Sequence, residues 1–255
     1  MSLAELFLLR GQVALVTGAG AGIGRAISLM FAEAGADIVC TDLNLSHAET
    51  VAQECRGFGG RAFGLKLDVT QEQERTLVVE QAAKEFGGIS ILVNNAGGGG
   101  PKPFDMPMAD FEWAYQLNVF SLFRMSQLAA PYMKRFGGGS IVNISSMAGT
   151  NKNKRMCSYG SSKAAVDHLT RNMAFDLGGD KIRVNAIAPG AIRTQALASV
   201  LTPEVEKAML KNTPLGRLGE GSDIAAAALF LAAPASSWIS GQVITVSGGG
   251  IQELD

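Results

Sequence analysis

Tyr159 and Lys163 stand four residues apart, and Ser146 lies thirteen residues before the tyrosine. On a helix, residues at i and i+4 share a face about 5–6 Å apart, so this spacing brings an ammonium near a phenol. A free phenol has a pKa of about 10, too high for a base at neutral pH. A cation about 4 Å away, at an effective dielectric of about 20, contributes roughly 4 kcal/mol. That is enough to draw the phenol toward the operating pH, where general acid–base catalysis works best. A serine hydroxyl arriving from another element then holds the reacting oxygen beside the phenol. A lone Tyr-x-x-x-Lys match also arises by chance, so the reading needs independent support.

The amino-terminal region supplies that support. An apolar run, Val13-Ala14-Leu15-Val16, ends in Thr17-Gly18-Ala19-Gly20-Ala21-Gly22-Ile23-Gly24. Ile23, Ala26, Ile27, Met30, Phe31 and Ala34 then follow at helical spacing, and Gly35 stops the pattern. A strand, a glycine turn and a helix open a dinucleotide-binding unit, in which free amides at the helix start meet a pyrophosphate. A second strand-like run ends in Asp42, eighteen residues after Gly24. An acid there accepts hydrogen bonds from ribose hydroxyls and repels a 2′-phosphate, which favours NAD over NADP.

These residues need a frame. Strand-like runs recur at 13–16, 37–42, 61–67, 89–93, 140–145, 183–187 and 243–246, and helical patterns separate the first six. Clear helical stretches cover 72–86, a long one 109–135, then 159–177 and 222–233. Such alternation predicts an α/β fold, a doubly wound parallel sheet of about seven strands with helices on both faces. Ligands in such sheets bind outside the carboxyl ends of the strands. Gly18, Asp42, Asp68-Val69, Asn94 to Gly97, Ser145-Ser146 and Pro189-Gly190 follow or end successive strands there. The chain of 255 residues reads as one domain, 1–255, with a mobile-looking substrate-side loop at about 191–215. The loop Gly97 to Gly100 leaves room for a large ligand. Met106, Met108 and Trp113 beyond it serve equally as pocket lining or as core.

Lys plus Arg is 22 and Asp plus Glu is 23, for a net charge of −1. The absence of a basic run of nucleic-acid type, a charged tail or a membrane-length apolar stretch points to a small-molecule substrate, not nucleic acid or membrane. Cys40, Cys55 and Cys157 form no CxxC motif, which fits a reducing, cytoplasmic setting. Cys157 reads as a bystander thiol. His47 and His168 lack ligand-spaced partners, so no metal is expected.

The combination of Thr17-Gly18-x3-Gly22-x-Gly24, Asn94-Asn95-Ala96-Gly97, Asn118, Ser146, Tyr159-x3-Lys163 and Pro189-Gly190 resembles the short-chain dehydrogenase/reductase family over nearly the whole chain. The resemblance implies that Tyr159 is the acid–base, that Ser146 orients the carbonyl or alcohol, and that Lys163 lowers the tyrosine pKa and holds the nicotinamide ribose. It implies that Asn118 keeps a water in a proton relay behind Lys163. NAD would be held by Gly18, Gly22, Ile23, Gly24 and Asp42, with Asp68 and Val69 at the adenine. Asn95, Ala96 and Gly97 would lie by the ribose, and Pro189, Gly190, Ile192 and Thr194 by the nicotinamide.

Within the family, the stretch 94–111, Asn151-Lys152-Asn153 and the tail 246–254 are similar to bacterial hydroxysteroid dehydrogenases. That likeness implies a homotetramer that oxidises the 7α-hydroxyl of bile acids. The chain departs from the pattern at Gly149-Thr150, where an acid is expected, and in the basic residues Lys152, Lys154 and Arg155. Another short-chain reductase, such as a 3-oxoacyl-carrier-protein reductase, remains an alternative; Asp42 speaks against its usual NADPH. A non-catalytic NAD-binding regulator is a remoter one, since it has no need of both Tyr159 and Lys163.

Overall fold

A computed structural model describes residues 2–194, 197, 201–211 and 213–250. Seven parallel strands form one sheet in the order β3-β2-β1-β4-β5-β6-β7. They are β1 (Val13–Thr17), β2 (Asp37–Asp42), β3 (Ala62–Lys66), β4 (Ile91–Asn94), β5 (Gly139–Ile144), β6 (Ile182–Pro189) and β7 (Val243–Val246). The order reverses between β1 and β4, which opens a crevice at their carboxyl ends.

Strand residues alternate between two apolar layers. Ala14, Val16, Ile38, Cys40, Ile91 and Val93 face one layer, closed by α1 (Gly22–Glu33) and α8 (Gly221–Ala232). Leu15, Val39, Leu92 and Ile141 face the other, closed by α3 (Glu72–Phe86), α5 (Ser121–Phe136) and α6 (Cys157–Leu177). Both faces are buried, as the near-continuous apolar strands require. Further helices are α2 (Leu45–Arg56), α4 (Met108–Tyr115) and α7 (Pro203–Lys211).

Two expectations change. The long helix expected over 109–135 is α4 and α5 joined by a π-helical turn at Gln116–Phe120. Part of the expected loop 191–215 is helical: Pro203 opens α7, and the Thr202 hydroxyl accepts from Val205 N at 3.3 Å. Residues 195, 196, 198–200 and 212 of that loop, and 251–254 of the tail, lie outside the described residues. Among the described residues, no helix is long and apolar enough to cross a membrane.

Candidate active site

The β1–α1 turn is built around glycine. Gly18 and Gly22 have φ of 63° and 55°, the left-handed region that side chains resist. A Cβ on Gly24 would lie 2.2 Å from the Gly18 carbonyl oxygen. Ala21, the N-cap of α1, has no side chain to cap the helix, so the first amides take no side-chain acceptor from it. Beside the turn, the Asp42 carboxylate accepts from Gly20 N and Asn44 N, each at 3.0 Å. A glycine cradle, uncapped helix amides and a strand-end carboxylate fit a dinucleotide.

Thr17 couples this turn to the end of β4. Its hydroxyl accepts from Asn95 N at 3.0 Å and Ala96 N at 2.9 Å. The Asn95 side chain donates back to Thr17 O at 2.9 Å and Gly18 O at 3.0 Å. Asn95 therefore fixes the turn by its amide.

Ser146, Tyr159 and Lys163 meet in a cavity of about 400 Å³, together with Gly22, Ile23, Asn95, Gly97, Pro189, Gly190, Ile192 and Thr194. Ser146 ends the turn after β5, and its hydroxyl accepts from Ala148 N at 3.1 Å. Tyr159 and Lys163 project from the first turns of α6. Gly18, Gly24, Asp42, Ala96 and Asn118 lie around this cavity's supporting turns and do not line it. Asp68 and Val69 stand farther along the crevice, beyond β3, where Thr70 N and its hydroxyl donate to Asp68 at 2.9 Å and 2.7 Å. A larger groove of about 1220 Å³ lies at the opposite edge, by Gln12, Ser90, Gly139 and Ile182 at the starts of the strands. It contains none of the expected residues, and the chemistry places the site in the smaller cavity.

The electrostatics bear on the Tyr159–Lys163 pair. Burial pushes the Tyr159 hydroxyl above the ordinary phenol range, and a hydrogen bond with Ser146 works against that rise. The Lys163 ammonium lies near the tyrosine ring and is hydrogen-bonded elsewhere. Its Nζ sits 5.8 Å from the centre of the tyrosine ring and donates to Ile144 O at 2.9 Å. The four-carbon chain thus reaches a strand carbonyl. Burial lowers Lys163 to about 8, opposed by the Asp167 carboxylate. Asp167, itself raised by burial, lies one turn beyond Lys163 on α6.

Asn118 occupies the π-helical turn. Its Oδ1 accepts from Gly98 N at 2.9 Å, while Nδ2 donates to Gly98 O at 2.9 Å and Ser162 Oγ at 3.1 Å. A Cβ on Gly97 would fall 2.8 Å from Asn118 Oδ1 and 3.2 Å from Lys163 Nζ, so only glycine admits both neighbours. Met108 and Trp113 are exposed, not core.

Sequence reasoning missed Ala21 and Ile144 as cavity lining, and Asp167 behind Lys163, while Ser145, placed at the strand end beside Ser146, does line the cavity. The i+4 spacing of Lys163 and Asp167 was the available signal for the last.

A family model described as enoyl-(acyl carrier protein) reductase matches residues 18–250. The chain is 60% identical over 247 residues to 7α-hydroxysteroid dehydrogenase of Escherichia coli strain K12, covering 97% of each. It is 37% identical to a 3-oxoacyl-[acyl-carrier-protein] reductase of Thermotoga maritima, over 94% of this chain and 98% of that one. A solved 7α-hydroxysteroid dehydrogenase complexed with NADH and 7-oxo glycochenodeoxycholic acid superposes with a TM-score of 0.97 at 58% identity, covering 100% of both chains. A short-chain type dehydrogenase/reductase from Mycobacterium marinum gives 0.93 at 37% identity, over 99% of this chain and 100% of that one. With Ser146, Tyr159 and Lys163 at one cavity beside a glycine-turn crevice, the chain belongs to the short-chain dehydrogenase/reductase family.

Proposed function

We propose that this protein is an NAD-dependent dehydrogenase that oxidises the 7α-hydroxyl of a bile acid to the 7-oxo group. The observation that carries the reading is 60% identity over 97% of both chains to an enzyme of that activity. The site geometry is consistent with it. NAD, when bound, supplies the hydride acceptor. The α1 amides of Gly22 and Ile23, with Gly18 and Gly24 keeping the turn tight, are assigned to its pyrophosphate. Asp42 is assigned to the adenosine ribose, and Asp68 and Val69 to the adenine. Asn95 and Gly97, with Ala96 supporting them from the turn behind, are assigned to the ribose region, and Pro189, Gly190, Ile192 and Thr194 to the nicotinamide end.

In oxidation, Tyr159 Oη takes the proton of the alcohol while Ser146 Oγ holds the alcohol oxygen in place. Burial favours the protonated phenol, so oxidation gains from alkaline pH and the reverse reaction draws on the proton already held at Oη. Lys163 brings a buried positive charge to the base of the cavity and is assigned to the nicotinamide ribose. Asn118 enters as a positioning residue for the glycine loop, because its amide is engaged by Gly98 and Ser162.

A homotetramer, a cytoplasmic location and a single domain over 1–255 belong to the same reading. Trp238 and Phe175, 99% and 90% exposed, are apolar surface that subunit contacts would cover. All three cysteines are free, in keeping with a reducing compartment.

The test is NADH formation with chenodeoxycholate and with its 7β epimer. Ser146, Tyr159 and the hydride acceptor fix one approach to the carbon, so the 7α alcohol should react and the 7β epimer should not. Equal rates for both, or turnover of a 3-oxoacyl thioester in place of either, would replace this assignment.

A further inference from the structure

Lys152, Lys154 and Arg155 place three cations within four positions, on the segment between the Ser146 turn and α6. All three are exposed, and none forms an ion pair with another described residue. The segment is anchored at both ends. Asn151 N donates to Met147 O at 2.9 Å, and Lys102 N donates to Arg155 O at 2.7 Å. Lys102 extends the glycine loop, whose Gly99 lies against Tyr159: a Cβ there would come 2.6 Å from the ring. The backbone of the basic segment is thus tied to the loop that lies against Tyr159, while none of its three cations lines the cavity itself. Lys102 is a fourth, but its ammonium is 3.1 Å from the Asp110 carboxylate. Asp105 is the other acid on that loop.

Two observations set this run apart from an ordinary solvated surface. Arg155 has φ of 63°, and the only other side-chain residue with positive φ among those described is Lys181, which closes a helical turn. Glycine or asparagine occupies that region with less strain, and retained backbone strain clusters at functional segments. Within the same run, Asn151 Nδ2 and Asn153 Oδ1 are buried without hydrogen-bond partners. Buried polar atoms are normally satisfied, so the segment carries an unpaired donor and an unpaired acceptor beside its cations.

We propose that this basic run recognises the anionic end of the substrate, a carboxylate or sulfonate on a flexible side chain remote from the reacting carbon. The inference rests on the bile-acid reading. Glycochenodeoxycholic acid, whose 7-oxo form is bound in the similar structure, carries its carboxylate on a side chain away from carbon 7. Arg155 offers a planar fork of donors to such a group, and the lysines offer mobile point charges. Recognition of this kind lowers KM more than it raises kcat, because the contact is equally present before and during the hydride transfer.

The test uses the full chain, with NADH formation measured on glycochenodeoxycholate and on an uncharged analogue in which a primary alcohol replaces the carboxylate. Exposed charge pairs are individually weak, so three acting together should favour the anion by about tenfold in kcat/KM, mostly through KM. That preference should shrink as salt rises from low concentration to about 1 M, where the screening length falls to about 3 Å. Lys154→Gln combined with Arg155→Asn should reduce the anion-over-neutral ratio several-fold, and Lys154→Arg with Arg155→Lys should preserve it. Asparagine is chosen because it tolerates the left-handed backbone.

Equal kcat/KM for the charged and uncharged steroids, or a salt-independent preference, would overturn the proposal without any variant. So would an unchanged ratio in a double variant that melts at the wild-type temperature. Failure of both steroids to react, with another alcohol turning over, would strike the bile-acid reading instead.

Discussion

Replacing Asn118 with aspartate keeps the shape of the side chain and reverses half of its hydrogen bonding. The amide nitrogen donates to Gly98 O and Ser162 Oγ. The Ser162 hydroxyl is itself spent on Tyr159 O at 2.7 Å, so it has no proton to return to a new acceptor. An introduced carboxylate would therefore face two acceptors in a buried turn. Each unsatisfied buried group costs about 1–3 kcal/mol, while the surviving bond from Gly98 N to a charged oxygen strengthens and recovers part of it. A net loss of about 2–4 kcal/mol follows, and for a chain of this size that lowers Tm by roughly 5–10 °C. The turnover number should fall as well, because Gly98 leads into Gly99, which lies against the Tyr159 ring. Burial would raise the pKa of the new carboxyl, so the folded state would hold its proton more tightly than the unfolded chain. The stability deficit should then be full at neutral pH and shrink on acidification, when one oxygen regains a hydrogen. Thermal unfolding from about pH 5 to 8, with kcat measured alongside, reads both effects. A normal Tm with a reduced kcat is the signature of a water relay at Asn118, and it would refute the positioning argument.

What the sequence exposed and what it hid divide along the range of the forces involved. The seven strands were legible because both sheet faces are buried and short apolar runs end at turn residues. The glycine turn was legible because Gly18 and Gly22 sit at positive φ, a local requirement. Position on α6 was equally local, so Tyr159 and Lys163 fell on one face. The i+4 rule stops at the Cβ atoms, however. Where a lysine ammonium ends depends on what lies in reach, and here that is Ile144 O on a neighbouring strand. The π-helical turn was hidden for the same reason. Nothing in Gln116 to Phe120 breaks a helix, and the turn accompanies the contacts of Asn118 with Gly98 and Ser162, which are distant in sequence. The helix α7 was a different failure, since Thr202, Pro203, Glu204 and Glu206 form an ordinary start signal inside a stretch read as loop.

Asp42→Ala should lower NAD efficiency and raise NADP use by removing a ribose acceptor and a repulsive charge; unchanged selectivity in paired kinetics would exclude Asp42 as the discriminator. Tyr159→Phe should reduce turnover by about 10²–10⁴ while NAD still binds, and more than about a tenth of wild-type activity would contradict the acid–base role. Lys163 gives a prediction about stability. Burial lowers it to about 8 from an ordinary value of 10.5, so the folded protein holds this proton less tightly than the unfolded chain. Below about pH 8 the cost of burying the ammonium is fully present. Between about 8 and 10.5 the unfolded chain binds more protons, and stability contributed by this site rises with pH. At about 1.36 kcal/mol per pKa unit, the whole recovery is on the order of 3 kcal/mol. Lys163→Met removes the titration, so the stability of wild type relative to that variant should climb across this window in denaturant titrations. A flat difference would mean that Asp167 and Ile144 O compensate the buried charge in full, and that Lys163 remains an ammonium well above pH 8.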